Sequence, residues 1–197
     1  MRVCLIPAAG ASSRMRGGDK LLEDVDGAPC LRVMVERAQA SGAQVIVTLP
    51  ALDHPRAQAL HGTGAQLVAV PQAAAEGMSA SLKAGVRAVP RGARALMILP
   101  GDMPAVTSAH LSAMWQAYAA ERPLVLRAAT AKGLPGHPVI VAAGLLPAFQ
   151  TLTGDAGAAR LLKTRAADVV HIVLPGDVAR CDLDTPEDWA AWRAQRS

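Results

Sequence analysis

Short apolar runs alternate with segments of helical periodicity along the chain. Val3–Ile6, Gln44–Leu49, Gln66–Val70, Ala95–Leu99, Leu124–Ala128, Val139–Val141 and Val169–Leu174 have strand length and are bounded by Gly, Pro or polar residues, which predicts a series of buried strands. Between the first two, Leu31, Met34, Val35 and Ala38 keep the i, i+3, i+4, i+7 spacing of one helix face, and Gly42 is placed to close that helix. Ser79 to Val89, Thr107 to Glu121 and Ala156 to Ala166 read as further helices. A last helix is marked by Thr185 as its cap, Pro186 at its first position, and Glu187 and Asp188 at the positive end of its dipole. Strand and helix in alternation predict an α/β fold: a parallel or mostly parallel sheet covered by helices on both faces, three layers in all. No internal repeat, low-complexity tract or long linker interrupts the pattern, so residues 1–197 are expected to form a single domain.

The first strand empties into Pro7-Ala-Ala-Gly-Ala-Ser-Ser-Arg-Met-Arg-Gly-Gly-Asp-Lys20. Small side chains in such a loop leave backbone N–H groups free to face a ligand, and Arg14 and Lys20 add two fixed positive charges. Amides beside cations are what a polyphosphate requires. In sheets of this kind, ligands bind at the carboxyl ends of the strands, where this loop lies. The loop therefore points to a nucleoside triphosphate.

Composition narrows the partners. Of the 197 residues 51% are hydrophobic but only 3% aromatic, so the core must be built from Ala, Val, Leu, Ile and Met. The net charge of +4 comes without a Lys/Arg block or a basic stripe interleaved with aromatics, which argues against nucleic acid. Cys4, Cys30 and Cys181 are odd in number and lack metal-ligand spacing, so they read as small core residues. No apolar run approaches the roughly 20 residues of a membrane span. The opening Val3–Ala9 stretch is broken by Pro7 and followed by Arg14 and Arg16, unlike a signal peptide. A cytoplasmic location is the expectation.

Four further segments carry candidate chemistry. Gly101-Asp102-Met103-Pro104 follows a fully apolar run. An Asp at the end of a buried strand is costly unless paired, and beside a phosphate site its natural partner is Mg²⁺; the alternative is a turn-forming Asp. Gly77-Met78-Ser79-Ala80-Ser81 precedes a helix and reads either as a cap or as part of a base or ribose pocket. Gly133-Leu134-Pro135-Gly136-His137-Pro138 is expected to join two strands, with His137 pinned between Gly and Pro. His54, His61, His110 and His171 are scattered and read as surface or packing residues. Asp182 and Asp184 share one face of an extended segment, so one is a candidate second metal ligand and the other a candidate cap. Gly-x-Ser-x-Gly, a Walker lysine pattern and Gly-x-Gly-x-x-Gly after the first strand are all missing, which disfavours α/β-hydrolases, P-loop NTPases and nicotinamide dehydrogenases.

Taken in order, these segments, with Gly154-Asp155-Ala-Gly-Ala and Asp182-Leu-Asp-Thr-Pro-Glu-Asp, resemble the MobA-like nucleotidyltransferases of the molybdenum-cofactor group. Within that group the chain looks most like the molybdenum cofactor cytidylyltransferases. These carry Ala-Ala-Gly in the first loop, where their guanylyltransferase relatives usually carry Ala-Gly-Gly. The resemblance implies a Rossmann-like three-layer α/β/α sandwich with a mostly parallel sheet, of the nucleotide-diphospho-sugar transferase type. It further implies that Ala8, Ala9, Gly10 and Ser12 contact the nucleotide, that Arg14 and Lys20 hold its triphosphate, and that Gly77, Ser79 and Ser81 belong to its pocket. By the same resemblance His137 and Asp155 lie near the acceptor and Asp102 holds the metal; Asp182 is the expected second metal ligand from its place on the extended segment, unless both Asp182 and Asp184 serve the helix start. The chain departs from the group's pattern at Pro7 (commonly Leu), in a stretch from Arg14 to Lys20 one residue longer, and at Arg160, one residue late.

The implied reaction is Mg²⁺-dependent transfer of CMP from CTP to the phosphate of molybdopterin, with release of pyrophosphate. Arg14, Lys20 and Asp102 are the expected catalytic residues, and a molybdenum enzyme or its chaperone is the expected recipient. The rival expectations are GTP as donor, a sugar or methylerythritol phosphate as acceptor, and a non-catalytic protein that delivers finished cofactor.

Overall fold

The computed structural model describes residues 1–71, 77–154 and 158–196. Its strands are β1 (Arg2–Pro7), β2 (Asp24–Val25), β3 (Ala28–Pro29), β4 (Gln44–Leu49), β5 (Gln66–Ala69), β6 (Ala95–Ile98), β7 (Val125–Ala129), β8 (Pro135–Ala142) and β9 (Val169–Val173). The main sheet has the order β5-β4-β1-β6-β8-β7-β9, and β2 and β3 pair as a small hairpin. Within the main sheet only β8 runs against its neighbours, β6 and β7; the remaining pairs are parallel.

The helices are α1 (Cys30–Ala40), α2 (Pro55–Ala59), α3 (Met78–Arg87), α4 (Ser108–Glu121), α5 (Ala159–Thr164) and α6 (Pro186–Ala194). Period two along β1 divides its side chains between two cores. Cys4 and Ile6 face a layer containing Met34 of α1, Met114 of α4 and Trp189 of α6. Val3 and Leu5 face the opposite layer, with Leu82 of α3, Phe149 and Leu162 of α5. The result is the expected three-layer sandwich. Gly85 brings α3 hard against the sheet, since a Cβ there would overlap the side chain of Leu5.

Local signals carry through at the helix ends. Ser41 ends α1; Gly42 (φ +83°) follows, and its N–H and that of Ala43 bond back to Gln39 and Ala38. Thr107 and Thr185 each form a capping box, Thr107 with His110 and Thr185 with Asp188. Cys4, Cys30 and Cys181 are free thiols, the first two buried.

Two expectations are corrected, and further elements join them. The strand read as Val139–Val141 begins at Pro135, so Gly136-His137-Pro138 lies inside β8 and the turn precedes it. The predicted Ala156–Ala166 helix is Ala159–Thr164 followed by a 3₁₀ turn, Ala166–Asp168; its first residues lie outside the described ones. The β2–β3 hairpin, α2 and the 3₁₀ segment Ala143–Thr151 are additions.

Candidate active site

From β1 the chain continues to β4 and β5 on one side, while β6 lies on the other. This reversal opens a crevice at the carboxyl ends of β1 and β6, where such sheets bind ligands. Two loops meet there: residues 8–20 after β1 and residues 99–104 after β6. Among the described residues the backbone N–H groups of Ala9, Gly10, Ala11 and Ser12 make no hydrogen bond, which leaves them available to an anion. The loop adopts left-handed backbone at Ser12 (φ 50°), Arg16 (φ 52°) and Gly17 (φ 97°), a shape that needs external support.

Arg56 supplies it. This side chain from α2 is only 2% exposed. Its Nη1 donates to the carbonyls of Ala8 (2.6 Å) and Gly10 (2.7 Å), its Nη2 to Ser12 Oγ (2.9 Å) and Asp19 Oδ1 (2.9 Å), and its Nε to Asp19 Oδ2 (2.7 Å). One guanidinium thus ties both ends of the loop together. Burial works against the Asp19 carboxylate, but Arg56 outweighs it and holds the pKa below the usual value. Ser12, expected at the nucleotide, donates its hydroxyl to Asp19 Oδ1 (3.2 Å) as well as accepting from Arg56, so that group is committed within the loop. Sequence reasoning missed Arg56. The only local signal was Asp53-His54-Pro55, a helix start in which His54 Nδ1 accepts from the Arg56 N–H (3.2 Å).

The loop ends at Lys20, whose Nζ bridges Asp102 Oδ2 (2.5 Å) and Asp184 Oδ1 (2.6 Å). Arg14, largely exposed, reaches Asp184 Oδ2 at 2.8 Å. Burial opposes the Lys20 charge, yet the two carboxylates together outweigh it and raise its pKa. The segment carrying Asp184 is held by the Leu183 N–H, which donates to the Asp102 carbonyl (2.9 Å). Leu183 is buried, so Asp182 and Asp184 project to its other side. Asp184, rather than Asp182, joins the Lys20 cluster. Neither caps α6, because Thr185 takes that role with Asp188 completing the box. Asp182 stands at the edge: desolvation and the negative charges of Asp102 and Asp184 raise its pKa.

Asp102 Oδ1 is buried without a partner. An orphaned carboxylate oxygen beside a second carboxylate fits a divalent cation that completes its shell from substrate phosphates. No group of three acidic, His or Cys ligands occurs among the described residues, and a Mg²⁺ of this kind does not need one.

A cavity of about 300 Å³ extends from these groups. Ala8, Gly10, Lys20 and Asp102 line it together with His137 and Arg127. Met78 and Leu82, one turn apart on α3, contribute apolar wall. Ser79 and Ser81 are buried in that helix and are not among the cavity's lining residues. Gly77 (φ 67°) opens α3 as its N-cap, and Ala9 is buried beneath the loop. Burial, then the charge of Arg127, lowers the His137 pKa to about 4, so its imidazole is neutral at pH 7. Asp155, expected near the acceptor, lies outside the described residues, as does Glu76 before α3.

The sequence profile of the MobA-like NTP transferase domain matches residues 4–169. The fold is similar to the crystal structure of Rv0371c from Mycobacterium tuberculosis H37Rv, with 25% identity over 100% of this chain and 98% of that one and a TM-score of 0.84. A second structure of Rv0371c, in complex with manganese, superposes with a TM-score of 0.80 at 25% identity over 96% of each chain. A CMP:2-keto-3-deoxy-manno-octonic acid synthetase solved with CTP shares the fold at 18% identity, with a TM-score of 0.75 and coverage of 100% and 99%. No match to a curated protein was found. No helix among the described residues is long and apolar enough to cross a membrane.

Proposed function

The chain belongs to the MobA-like NTP transferase family and is a nucleotidyltransferase; from that premise we propose that it transfers CMP from CTP to the terminal phosphate of a molybdopterin-type acceptor, with Mg²⁺ as the working ion. The observation that carries the transfer chemistry is the meeting of Lys20, Arg14, Asp102 and Asp184 beside the unpaired amides of residues 9–12. Ala8-Ala9-Gly10 supports CTP over GTP as donor, through the resemblance to the cytidylyl branch.

In this reaction an acceptor phosphate oxygen forms a bond to the α-phosphorus as the α–β anhydride bond breaks and pyrophosphate leaves. The nucleophile is already anionic near neutral pH, so no strong general base is needed. The barrier lies in bringing two anions together, which makes alignment and charge neutralisation the enzyme's task. The loop amides and Arg14 cradle the β- and γ-phosphates. Lys20 moves its charge from the two carboxylates to the departing pyrophosphate. Asp102, with Asp184 or Asp182 as second ligand, would hold Mg²⁺, which when bound supplies charge neutralisation between phosphate oxygens. His137, neutral at working pH, faces the acceptor as a hydrogen-bonding group rather than as a proton donor.

In this account the enzyme works in the cytoplasm and its product passes to a molybdenum enzyme or that enzyme's chaperone. The test is incubation with each of four NTPs, Mg²⁺, and molybdopterin, a sugar phosphate or methylerythritol phosphate. Pyrophosphate release and product mass are read together. Release with CTP and molybdopterin only is expected. Turnover with another pair reassigns the substrates, and no metal-dependent release with any pair removes the catalytic assignment.

A further inference from the structure

Among the described residues two neighbouring guanidinium groups, those of Arg127 and Arg180, stand without a carboxylate partner. Arg127 of β7 is half-buried and lines the cavity; its Nε donates to the Gly136 carbonyl at 2.9 Å. Its two terminal nitrogens make no hydrogen bond or ion pair among the described residues. Arg180 is exposed at the end of the 3₁₀ turn Val178–Arg180 and packs on the same glycine. A Cβ on Gly136 would lie 3.0 Å from Arg180 Cγ and would overlap the Ala179 carbonyl. The missing side chain at Gly136 is thus what lets the Arg180 segment approach Arg127. Burial and the neighbouring Arg180 charge both work against the charge on Arg127. Two like charges, one of them partly desolvated and neither neutralised, are unfavourable until an anion joins them.

Their position says which anion. The triphosphate loop follows β1, Asp102 follows β6, and Arg127 and His137 lie farther along the sheet on β7 and β8. An oxygen attacking the α-phosphorus in line must enter opposite the pyrophosphate, hence from the β8–β7 side of Asp102. His137 stands between Arg127 and Asp102 in charge terms, feeling both, and its Nδ1 is buried without a partner. The wall around these groups is apolar, with Ile98, Val139, Val141 and Leu162. Such a wall offers little to a sugar's hydroxyls, which would lose their hydrogen bonds to water.

We propose that Arg127, with Arg180 beside it, binds the phosphomonoester group of the acceptor and holds its attacking oxygen toward the α-phosphorus. This rests on the nucleotidyl-transfer assignment above, and the test separates the two. Wild-type protein is first saturated with Mg²⁺ and the non-transferable analogue α,β-methylene-CTP, with binding measured by calorimetry. Inorganic phosphate is then titrated as the probe of the second site. Arg127→Met is expected to weaken phosphate binding by about tenfold or more, and Arg180→Met by roughly threefold, as for loss of charge-assisted hydrogen bonds. Nucleotide affinity stays unchanged in both, and melting temperatures report folding. Arg180 is exposed, so its variant keeps the test decisive if Arg127→Met does not fold. Equal phosphate affinity in wild type and variants, or no phosphate binding to the loaded wild type, overturns the acceptor site. Failure of the wild type to bind the analogue instead overturns the function proposed for the crevice.

Discussion

Arg56→Ala removes the side chain that ties residues 8–12 to Asp19 in the loop after β1. The structure sets the size of the effect. Five hydrogen bonds vanish, two of them a bidentate pair with Asp19. Asp19 is left mostly buried with only Ser12 and the Leu21 N–H as partners. Breaking one side of such a pair costs about 3–5 kcal/mol, because a charge remains buried without its counterion. The carbonyls of Ala8 and Gly10 add little once the loop opens to water, so a total of about 3 kcal/mol is expected. For a chain of this size that lowers the melting temperature by roughly 6–12 °C. Because the Asp19 pKa is lowered in the fold, its pair with Arg56 stabilises above the unfolded carboxylate pKa and is lost as pH falls through the folded one. The variant should therefore lose that part of the wild type's acid sensitivity. Nucleotide binding should weaken about tenfold or more, since the amides of residues 9–12 are no longer preorganised. Arg56→Lys keeps the charge but cannot reach four acceptors at once, and should fall between the two. Differential scanning calorimetry from pH 3 to 8 and CTP titration read both effects. Wild-type melting and wild-type CTP affinity in Arg56→Ala would refute the loop-holding role.

Asp102→Asn should retain the fold but lose at least about a hundredfold in turnover, as for removal of one charge-stabilising group; pyrophosphate release against a circular dichroism control checks it. The His137 pKa of about 4 lies below its unfolded value, so the neutral form stabilises the fold above about pH 6.5. That stability is lost as pH falls from about 6.5 toward 4, by on the order of 3 kcal/mol. Urea unfolding across that range should show a slope that His137→Gln lacks. Gly136→Ala should destabilise by about 1–3 kcal/mol, because the added methyl meets the backbone of Ala179 rather than a movable side chain; chemical denaturation measures it.

The strands and helices were legible because burial on both faces of the sheet writes short apolar runs, and because Thr107 and Thr185 sign their helices with local caps. The loop at 8–20 was legible for the same reason: its small residues and cations sit at the end of an unambiguous strand. His137 was misplaced because Gly and Pro read as a turn. Pro135 and Pro138 are tolerated in β8 since β6 pairs only from Val139 onward and the register against β7 shifts between Arg127 and Ala129. Asp182 and Asp184 were indistinguishable by period; the Leu183–Asp102 backbone bond is what carries Asp184 to Lys20. Arg56 could be read only as part of a helix start, because its acceptors, two carbonyls, a hydroxyl and a carboxylate, lie 37 to 48 residues away.

A crystal structure with CTP and Mn²⁺, read by the anomalous signal of the metal, tests the central claim most directly. The account predicts manganese on Asp102, triphosphate oxygens on the amides of residues 9–12, and Lys20 moved from the carboxylates to the phosphates. Manganese bound elsewhere, or a crevice still closed by the Lys20–Asp102–Asp184 cluster at saturating CTP, would contradict it.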